Sequence, residues 1–175
     1  MTRSAEPPES MKDVEIKTAK LIHINAIFQA LQEVANEIPT RIDSEQRLAS
    51  ITETIRNCVA SNHSLIACTS TGEIAGFILI TFDEVEKFLR NKQVLELRYG
   101  GIINKFRNHG IFARMLQRVI AYNYKITAEV SKLNQTKIRN ILSGHGFITH
   151  EEKINYDKFI WNPQQQEGKT TTPSP

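Results

Sequence analysis

Residues 104–120 are the stretch whose residue types and spacing point most directly to chemistry. They begin with Asn-Lys-Phe-Arg-Asn-His-Gly, a basic turn closed by one glycine, and continue as an apolar repeat at helical spacing. The repeat predicts a helix that begins close to Gly110 and buries Phe112, Met115, Leu116, Val119 and Ile120. The first N–H groups of a helix have no partner within the helix and lie at the positive end of its dipole. With Arg107 beside them, these groups predict an anion site suited to phosphate.

The charge around this turn is uneven. Residues 87–125 contain nine Lys or Arg residues and a single acidic residue, Glu96, whereas the whole chain has a formal net charge of only +3. A local positive excess raises the concentration of anionic ligands nearby. The band therefore suits an anionic cofactor, and an alternative interpretation is a surface for nucleic acid or an acidic protein.

Length and composition predict one domain. The chain has 175 residues, of which 40% are hydrophobic, enough for one core. Residues 1–11 and 163–175 are rich in Pro, Ser, Thr, Glu and Gln, so we expect two flexible tails around a domain at residues 12–162. The chain lacks a long apolar run, and its first residues lack the apolar stretch of a secretory signal. We therefore expect a cytoplasmic protein with no membrane partner.

The two cysteines argue against metal or redox chemistry. Cys58 falls in a predicted helix and Cys68 in a predicted strand, and neither has the C-x-x-C or C-x-x-H spacing of a metal or redox site. We expect two buried thiols and no metal.

The elements that must position the basic turn follow from periodicity and turn residues. Gly100 and Gly101 interrupt the strand before the turn, which indicates a bulge or a close backbone approach. Ser-Thr-Gly-Glu at residues 70–73 predicts a hairpin. The predicted order is a strand at 14–17, a helix at 24–34, a helix from Asp43 or Ser44, strands at 65–68 and 74–82, an irregular or helical insertion at 83–91, a strand at 94–103, the basic turn and its helix, a strand at 126–130, a helix at 134–143, and strands at 147–149 and 156–161.

This order, together with two motifs, resembles the GNAT acyltransferase superfamily. The first motif is Ile102-Ile103-Asn104-Lys105-Phe106-Arg107-Asn108-His109-Gly110-Ile111-Phe112, which is similar to the family's strand end and pyrophosphate loop, V-x-P-x-x-R-x-x-G-x-G or -A. Arg107 and Gly110 match that pattern, whereas Asn104 replaces the common proline and Phe112 replaces the last small residue.

The second motif is Glu-Val-Ser-Lys-Leu-Asn at residues 129–134, followed by a helix and by Gly-His-Gly-Phe at residues 144–147. It is similar to the family's fifth strand, its asparagine and its closing Gly-Phe. The offset from Glu129 to Asn134 matches GNAT enzymes that acetylate protein N-termini. The position that usually holds a tyrosine acid is Leu142 here, and the sequence does not select between its neighbours Ser143 and His145 as proton donors.

The resemblance implies an α/β (α+β) fold: a mixed, mostly antiparallel sheet of six to seven strands, flanked by about four helices, with splayed central strands. It implies acetyl-coenzyme A as co-substrate and direct transfer of the acetyl group, within a ternary complex, to a primary amine of a small molecule or protein. The residues that it implies at the cofactor are Ile102, Ile103, Asn104, Arg107, Asn108, His109, Gly110, Ile111, Phe112 and Asn134.

Acyl transfer to an amine also needs a base, because an alkyl ammonium group has a pKa of about 10. Glu129 is the first candidate, on a strand whose alternation puts it on one face with Thr127 and Ser131. Glu96, on the preceding strand with Arg98 as a same-face neighbour, is the second. Backbone N–H groups near Ile102 are the expected donors to the developing oxyanion.

Three hypotheses stay open on the sequence. The first is an N-acetyltransferase. The second is a degenerate domain that binds coenzyme A or a partner without turnover, suggested by Leu142 and Phe112. The third is a module that binds nucleic acid or an acidic partner through the basic band, although the small net charge argues against nucleic acid. Members of the superfamily are often dimers, so a homodimer is an open alternative. Carboxylates of the first two helices, Glu33, Glu37 and Glu45, could attract a cationic amine.

Overall fold

The computed structural model describes residues 14–38, 43–134 and 137–167. The predicted tail at 1–11 and most of the predicted tail at 163–175 lie outside these residues. The described residues contain one sheet of seven strands, which are β1 (Glu15–Thr18), β2 (Leu65–Cys68), β3 (Ile74–Phe82), β4 (Val94–Ile102), β5 (Lys125–Ser131), β6 (Ile148–Glu152) and β7 (Tyr156–Trp161).

The strand order is β1-β2-β3-β4-β5-β7-β6. Neighbours run antiparallel except for β4 and β5, which are parallel. A parallel pair needs a crossover connection, and the basic turn with its helix is that crossover. The mixed, mostly antiparallel sheet is therefore confirmed.

Six α-helices lie in the described residues: α1 (Ile24–Glu33), α2 (Glu45–Ala60), α3 (Glu84–Arg90), α4 (Ile111–Ile120), α5 (Ile138–Gly144) and α6 (Pro163–Glu167). Four of them are the predicted helices, and α3 forms in the insertion at 83–91. None of the helices in the described ranges combines the length and hydrophobicity that a membrane crossing requires.

The two central glycines mark close approaches on opposite faces of the sheet. A Cβ atom on Gly100 would lie 3.1 Å from the Phe112 ring of α4, whereas one on Gly101 would lie 2.8 Å from Val34, just after α1. Successive strand residues point to opposite faces, so α4 and the end of α1 pack on opposite sides of β4. The predicted alternative of a bulge at these glycines is wrong. The extra residue is Arg98, because β3 pairs Leu79 with Tyr99 and the next residue with Leu97.

Helix α4 buries the side chains that its periodicity predicts. Phe112, Met115, Leu116 and Val119 are buried in the core, and Ile120 is partly buried. Two arginines on the helix fasten the first strand: Arg114 donates to the carbonyl of Val14 at 3.2 Å, and Arg118 donates to that of Ile16. The helix that follows the basic turn is thus fixed in place.

Two boundaries differ from the prediction. Helix α5 begins at Ile138 rather than at Asn134, whose side chain donates from Nδ2 to the backbone carbonyl of Glu37. Residues 163–167, predicted as part of a flexible tail, form α6. Asn162 accepts a hydrogen bond from the N–H of Gln164, and proline at the first helical position favours a helix start.

Both cysteines are buried, as predicted. Burial raises the pKa of the Cys58 thiol to about 12 and also raises the pKa of the Cys68 thiol. A thiol whose pKa is raised above its ordinary value forms little of the reactive thiolate near neutral pH. We expect a colorimetric thiol reagent at about pH 8 to modify neither cysteine in the folded protein and both in denaturant, since free thiols ionise near 8.5. Rapid modification of Cys58 without denaturant would contradict this burial.

Candidate active site

The basic turn leaves a row of backbone N–H groups unpaired. A short 3-10 turn at Asn104–Phe106 follows β4, and Asn108 (φ 65°) and Gly110 (φ 70°) adopt the left-handed conformation before α4. Asparagine and glycine adopt this conformation most readily. No side chain caps α4, and within the described chain the N–H groups of residues 108–113 have no hydrogen-bond acceptor. The predicted helix start is confirmed, and its free donors are in place.

These donors border an open cleft of about 670 Å³, which we call the cofactor cleft. Its size falls within the range of about 300–1,000 Å³ that is usual for small-molecule sites. One wall is the turn with the start of α4, and another comes from α5 through Lys137, Ile138 and Ile141. Of the predicted cofactor residues, those that line the cleft are Ile102, Arg107, Asn108, Gly110, Ile111 and Phe112.

Four predicted cofactor residues do not line the cofactor cleft, and one of them, Asn134, lies in a separate space described below. Ile103 is buried, and its N–H donates to the carbonyl of Ala75 at 3.0 Å. The N–H of Asn104 donates to the Glu33 carboxylate at 3.2 Å. His109 is exposed on the turn and is not part of the cleft wall. The expectation that a ligand binds the N–H groups of Ile103 and Asn104 is therefore wrong, because protein acceptors already occupy both.

Arg107 makes contacts within the protein. Its guanidinium holds the carboxylate of Glu37 with two nitrogens, at 2.8 and 3.0 Å, and its Nε donates to the carbonyl of Ile102 at 3.0 Å. Both side chains are about one-quarter exposed, at 26% and 27%. The bidentate pair fastens the turn to the chain just after α1.

The same segment reaches β5. Asn134, three residues after β5, donates from Nδ2 to the carbonyl of Glu37 at 3.1 Å. We call residues 33–37 the bridge segment. Its Glu33 and Glu37 carboxylates contact Asn104 and Arg107, just after β4, and its Glu37 carbonyl contacts Asn134, just after β5. Neither contact followed from sequence analysis, which treated Glu33 and Glu37 as surface carboxylates.

Between these two contacts, β4 and β5 part as predicted. They pair only from Val94 and Lys125 to Leu97 and Ala128. The gap beyond holds a passage of about 30 Å³, which we call the throat. That volume is roughly one water molecule's share of the liquid. Side chains of the throat include Leu97, Tyr99, Phe112, Glu129, Asn134 and Leu142.

The proton donors considered on the sequence do not reach the throat. Leu142 places a buried apolar side chain in its wall. Ser143 and His145 are not throat residues, and His145 Nδ1 instead lies 2.7 Å from the carbonyl of Ile141. The sequence left the identity of the acid open, and the lining of the throat supports neither Ser143 nor His145 in that role.

A third space of about 200 Å³, which we call the acceptor cavity, lies beyond the throat. Glu96 and Glu129 both line it, so the structure brings the two predicted bases to one place. Glu96 and Thr127 are register partners on β4 and β5, and Glu129 shares the Thr127 face, opposite to the face of Leu97 and Phe112. Leu97, Arg98, Tyr99, Ala128 and Glu129 line both the throat and the acceptor cavity.

The two carboxylates differ in their surroundings. Glu96 forms an ion pair with Arg98 at 2.5 Å. Glu129 is exposed, lies opposite Lys158 of β7, and forms no ion pair with any residue in the described ranges. Because Glu96 is held by Arg98 while Glu129 is free to contact a substrate, Glu129 is better placed than Glu96 to act as a base.

Arg139 of α5 is a further residue that sequence analysis missed. Its guanidinium donates to the carbonyls of Ser131 (2.8 Å) and Val130 (3.4 Å), and its Nε bonds Asp157 of β7 at 3.2 Å. It supplies partners to carbonyls at the end of β5, beyond the last residue that pairs with β4.

Most of the basic band is not free surface. Five of its cations form ion pairs and two donate to carbonyls at the first strand, so acidic partners balance much of the positive charge counted in the sequence. The seven are Lys87, Arg90, Arg98, Lys105, Arg107, Arg114 and Arg118. The hypothesis of a nucleic-acid or acidic-partner module thus loses its main support.

Solved structures resemble this chain over most of its length. Arylalkylamine N-acetyltransferase 2 from Aedes aegypti superposes with a TM-score of 0.66 at 12% identity, covering 86% of this chain and 99% of the other. Naa50 from Arabidopsis thaliana, solved with a bisubstrate analogue, CoA-Ac-MVNAL, gives 0.65 at 12% identity over 85% and 97%. A GNAT-family acetyltransferase from Staphylococcus aureus gives 0.63 at 16% identity over 86% and 99%. Neither a protein-family model nor a curated protein matches the chain.

The contact between Gly101 and Val34 holds the bridge segment against β4. A methyl group at Gly101 would lie 2.8 Å from Val34 Cγ2. We expect Gly101→Ala to lower the free energy of unfolding by about 1–3 kcal/mol, because Val34 must move. The same change should cost much less in a Val34→Ala background, where the clash is absent. Urea unfolding measures both.

Gly144→Ala is the matched control, because no atom lies within 4 Å of its added methyl group. We expect no loss of stability for that variant. An equal loss for Gly101→Ala in both backgrounds would show that Val34 is not the cause.

Proposed function

Since the chain has the fold of the GNAT acetyltransferases, we propose that it transfers an acetyl group from acetyl-coenzyme A to a primary amine of a small molecule or protein. The observation that carries this proposal is the gap between the parted strands, because the throat in that gap shares wall residues with the cofactor cleft and with the acceptor cavity. Two substrates that enter from opposite faces can meet there and react directly in a ternary complex.

The cofactor cleft has the donors that coenzyme A requires. Its diphosphate suits the unpaired N–H groups of residues 108–113, at the positive end of α4. The N–H and C=O groups of successive strand residues point to alternate edges, so Ile102 faces the gap while Ile103 bonds β3. The N–H of Ile102 is therefore our candidate donor to the thioester oxygen as negative charge develops on it.

The acceptor cavity supports proton removal by Glu129. Glu129 accepts a proton from the ammonium group, directly or through one water, and the free amine then attacks the thioester carbonyl. When the tetrahedral intermediate collapses, the carbon–sulfur bond breaks and the electron pair leaves on sulfur, while the nitrogen releases its second proton to water. A thiol has a pKa near 8.5, so water can protonate that thiolate without a donor at Leu142. Glu96 is paired with Arg98, which also lines the cavity, so this pair adds no net charge there.

Proteins of similar structure support this choice without fixing the acceptor. One protein is named for arylalkylamines and another was solved with a peptide-bearing analogue of coenzyme A. The acceptor cavity of about 200 Å³ admits a small amine or the end of a chain. A cytoplasmic location and a homodimer stay predictions from the sequence.

A second candidate function is coenzyme A binding without turnover. The narrow throat of about 30 Å³ and the apolar Leu142 in its wall favour this alternative. Acetyl-coenzyme A at about 1 mM should raise the melting temperature under either hypothesis, because a ligand that binds only the folded state stabilises it. Thiol release with a panel of primary amines then separates turnover from binding, and no thermal shift would reject both.

The proposed base gives a prediction with a matched control. We expect Glu129→Gln to lower kcat about 100-fold or more, as is usual for loss of a general base, with little change in acetyl-coenzyme A binding. The variant's rate should rise with pH up to about 10, because the amine then loses its proton without a base. Glu152→Gln, an exposed carboxylate of β6, should behave as the wild type.

Rates are measured as thiol release at saturating acetyl-coenzyme A across a pH series. If Glu129→Gln kept the kcat of the wild type, or if Glu152→Gln lost as much kcat as Glu129→Gln, Glu129 would be rejected as the base.

A further inference from the structure

Among the residues that the structure describes, three charged side chains line the cofactor cleft: Glu37, Arg107 and Lys137. Arg107 matches the arginine of the predicted phosphate turn, so sequence analysis assigned it to the cofactor. The contacts within the protein indicate a different division of roles between the two cations.

The Arg107 guanidinium is committed to protein acceptors. It holds both carboxylate oxygens of Glu37 and the carbonyl of Ile102, at 2.8 to 3.0 Å. A guanidinium has five N–H donors in a fixed fork, and three of its nitrogens are engaged here. Turning Arg107 toward a phosphate would leave a half-buried carboxylate and a carbonyl without partners, which costs more than the net gain of a typical hydrogen bond.

The Glu37–Arg107 pair therefore adds no net charge to the cofactor cleft. Lys137 is the remaining charged residue of its wall. Lys137 is exposed and forms no ion pair with any residue of the described ranges. A lysine in this setting is a hydrated point charge on a flexible stem, suited to binding phosphate oxygens without a fixed geometry.

We propose that Lys137 binds the phosphate groups of the coenzyme, whereas Arg107 is a positioning residue that acts through Glu37. The inference rests on the proposed coenzyme site and adds the residue that supplies its positive charge. Arg107 holds the turn and the carbonyl of Ile102, so its loss displaces the N–H donors. Lys137 attracts only the charged part of the ligand.

The two roles are separated by comparing a phosphate-bearing ligand with one that lacks phosphate. Binding of coenzyme A and of pantetheine is measured for the wild type, Lys137→Gln, Arg107→Gln, Glu37→Gln and the double variant Arg107→Gln/Glu37→Gln. Lys125→Gln is the control, because Lys125 has no ion pair among the described residues and lies outside the cleft.

For Lys137→Gln we expect about tenfold weaker binding of coenzyme A, the size of one charge-assisted hydrogen bond, and unchanged binding of pantetheine. Arg107→Gln and Glu37→Gln should each weaken both ligands by similar factors. The double variant should be no worse than the weaker single variant, because the two residues act as one unit. Lys125→Gln should match the wild type.

Glu37→Gln is the decisive variant. If Arg107 bound phosphate directly, removing its carboxylate partner would free the guanidinium and strengthen coenzyme A binding. Stronger binding in Glu37→Gln, or wild-type affinity in Lys137→Gln, would overturn the inference while the proposed function stands. Failure of the wild type to bind coenzyme A would instead reject the proposed function itself.

Discussion

Strands β4 and β5 exchange hydrogen bonds only as far as Leu97 and Ala128, and the backbone groups beyond that point must find other partners. At each strand end, an arginine side chain supplies one of these hydrogen-bond partners. Arg107 donates to the carbonyl of Ile102 on β4, and Arg139 donates to that of Ser131 on β5. With these carbonyls satisfied, the strands can stay apart, and the sheet keeps an opening between its two faces. The cofactor cleft, the throat and the acceptor cavity all depend on that opening.

The bridge segment at residues 33–37 links the two strand ends. Its carboxylates hold the N–H of Asn104 and the guanidinium of Arg107, and its backbone accepts from Asn134. Val34 packs where Gly101 leaves no room for a side chain. The segment neutralises Arg107 while it orders the turn, so the backbone N–H groups of residues 108–113, with Lys137, supply the positive potential of the cleft. The local positive excess of the sequence overstates this potential, because most of its cations have partners elsewhere.

Local patterns predicted much of the fold because they act over a few residues. The apolar stripe after Gly110 predicts a helix, and the turn at Ser-Thr-Gly-Glu predicts a hairpin. Both elements depend on residues close together in the sequence. The contacts that set residue roles are long-range. Glu37 and Arg107 are separated by 70 residues and Glu37 and Asn134 by 97, and no periodicity encodes such pairs. Sequence analysis missed the bulge at Arg98 because it attributed the irregularity to the neighbouring glycines. Those glycines are instead required by close packing against Phe112 and Val34.

The central claim is that a coenzyme thioester is held by the free N–H groups before and within the first turn of α4, with its reactive end at the parted strands. Residue-resolved amide hydrogen exchange with and without acetyl-coenzyme A tests it most directly. We expect slower exchange at residues 108–113 and at Ile102 when the ligand is bound, and unchanged exchange in α3, which lies outside the cofactor cleft. Ligand binding that leaves residues 108–113 unprotected, or that protects α3 instead, would contradict the claim.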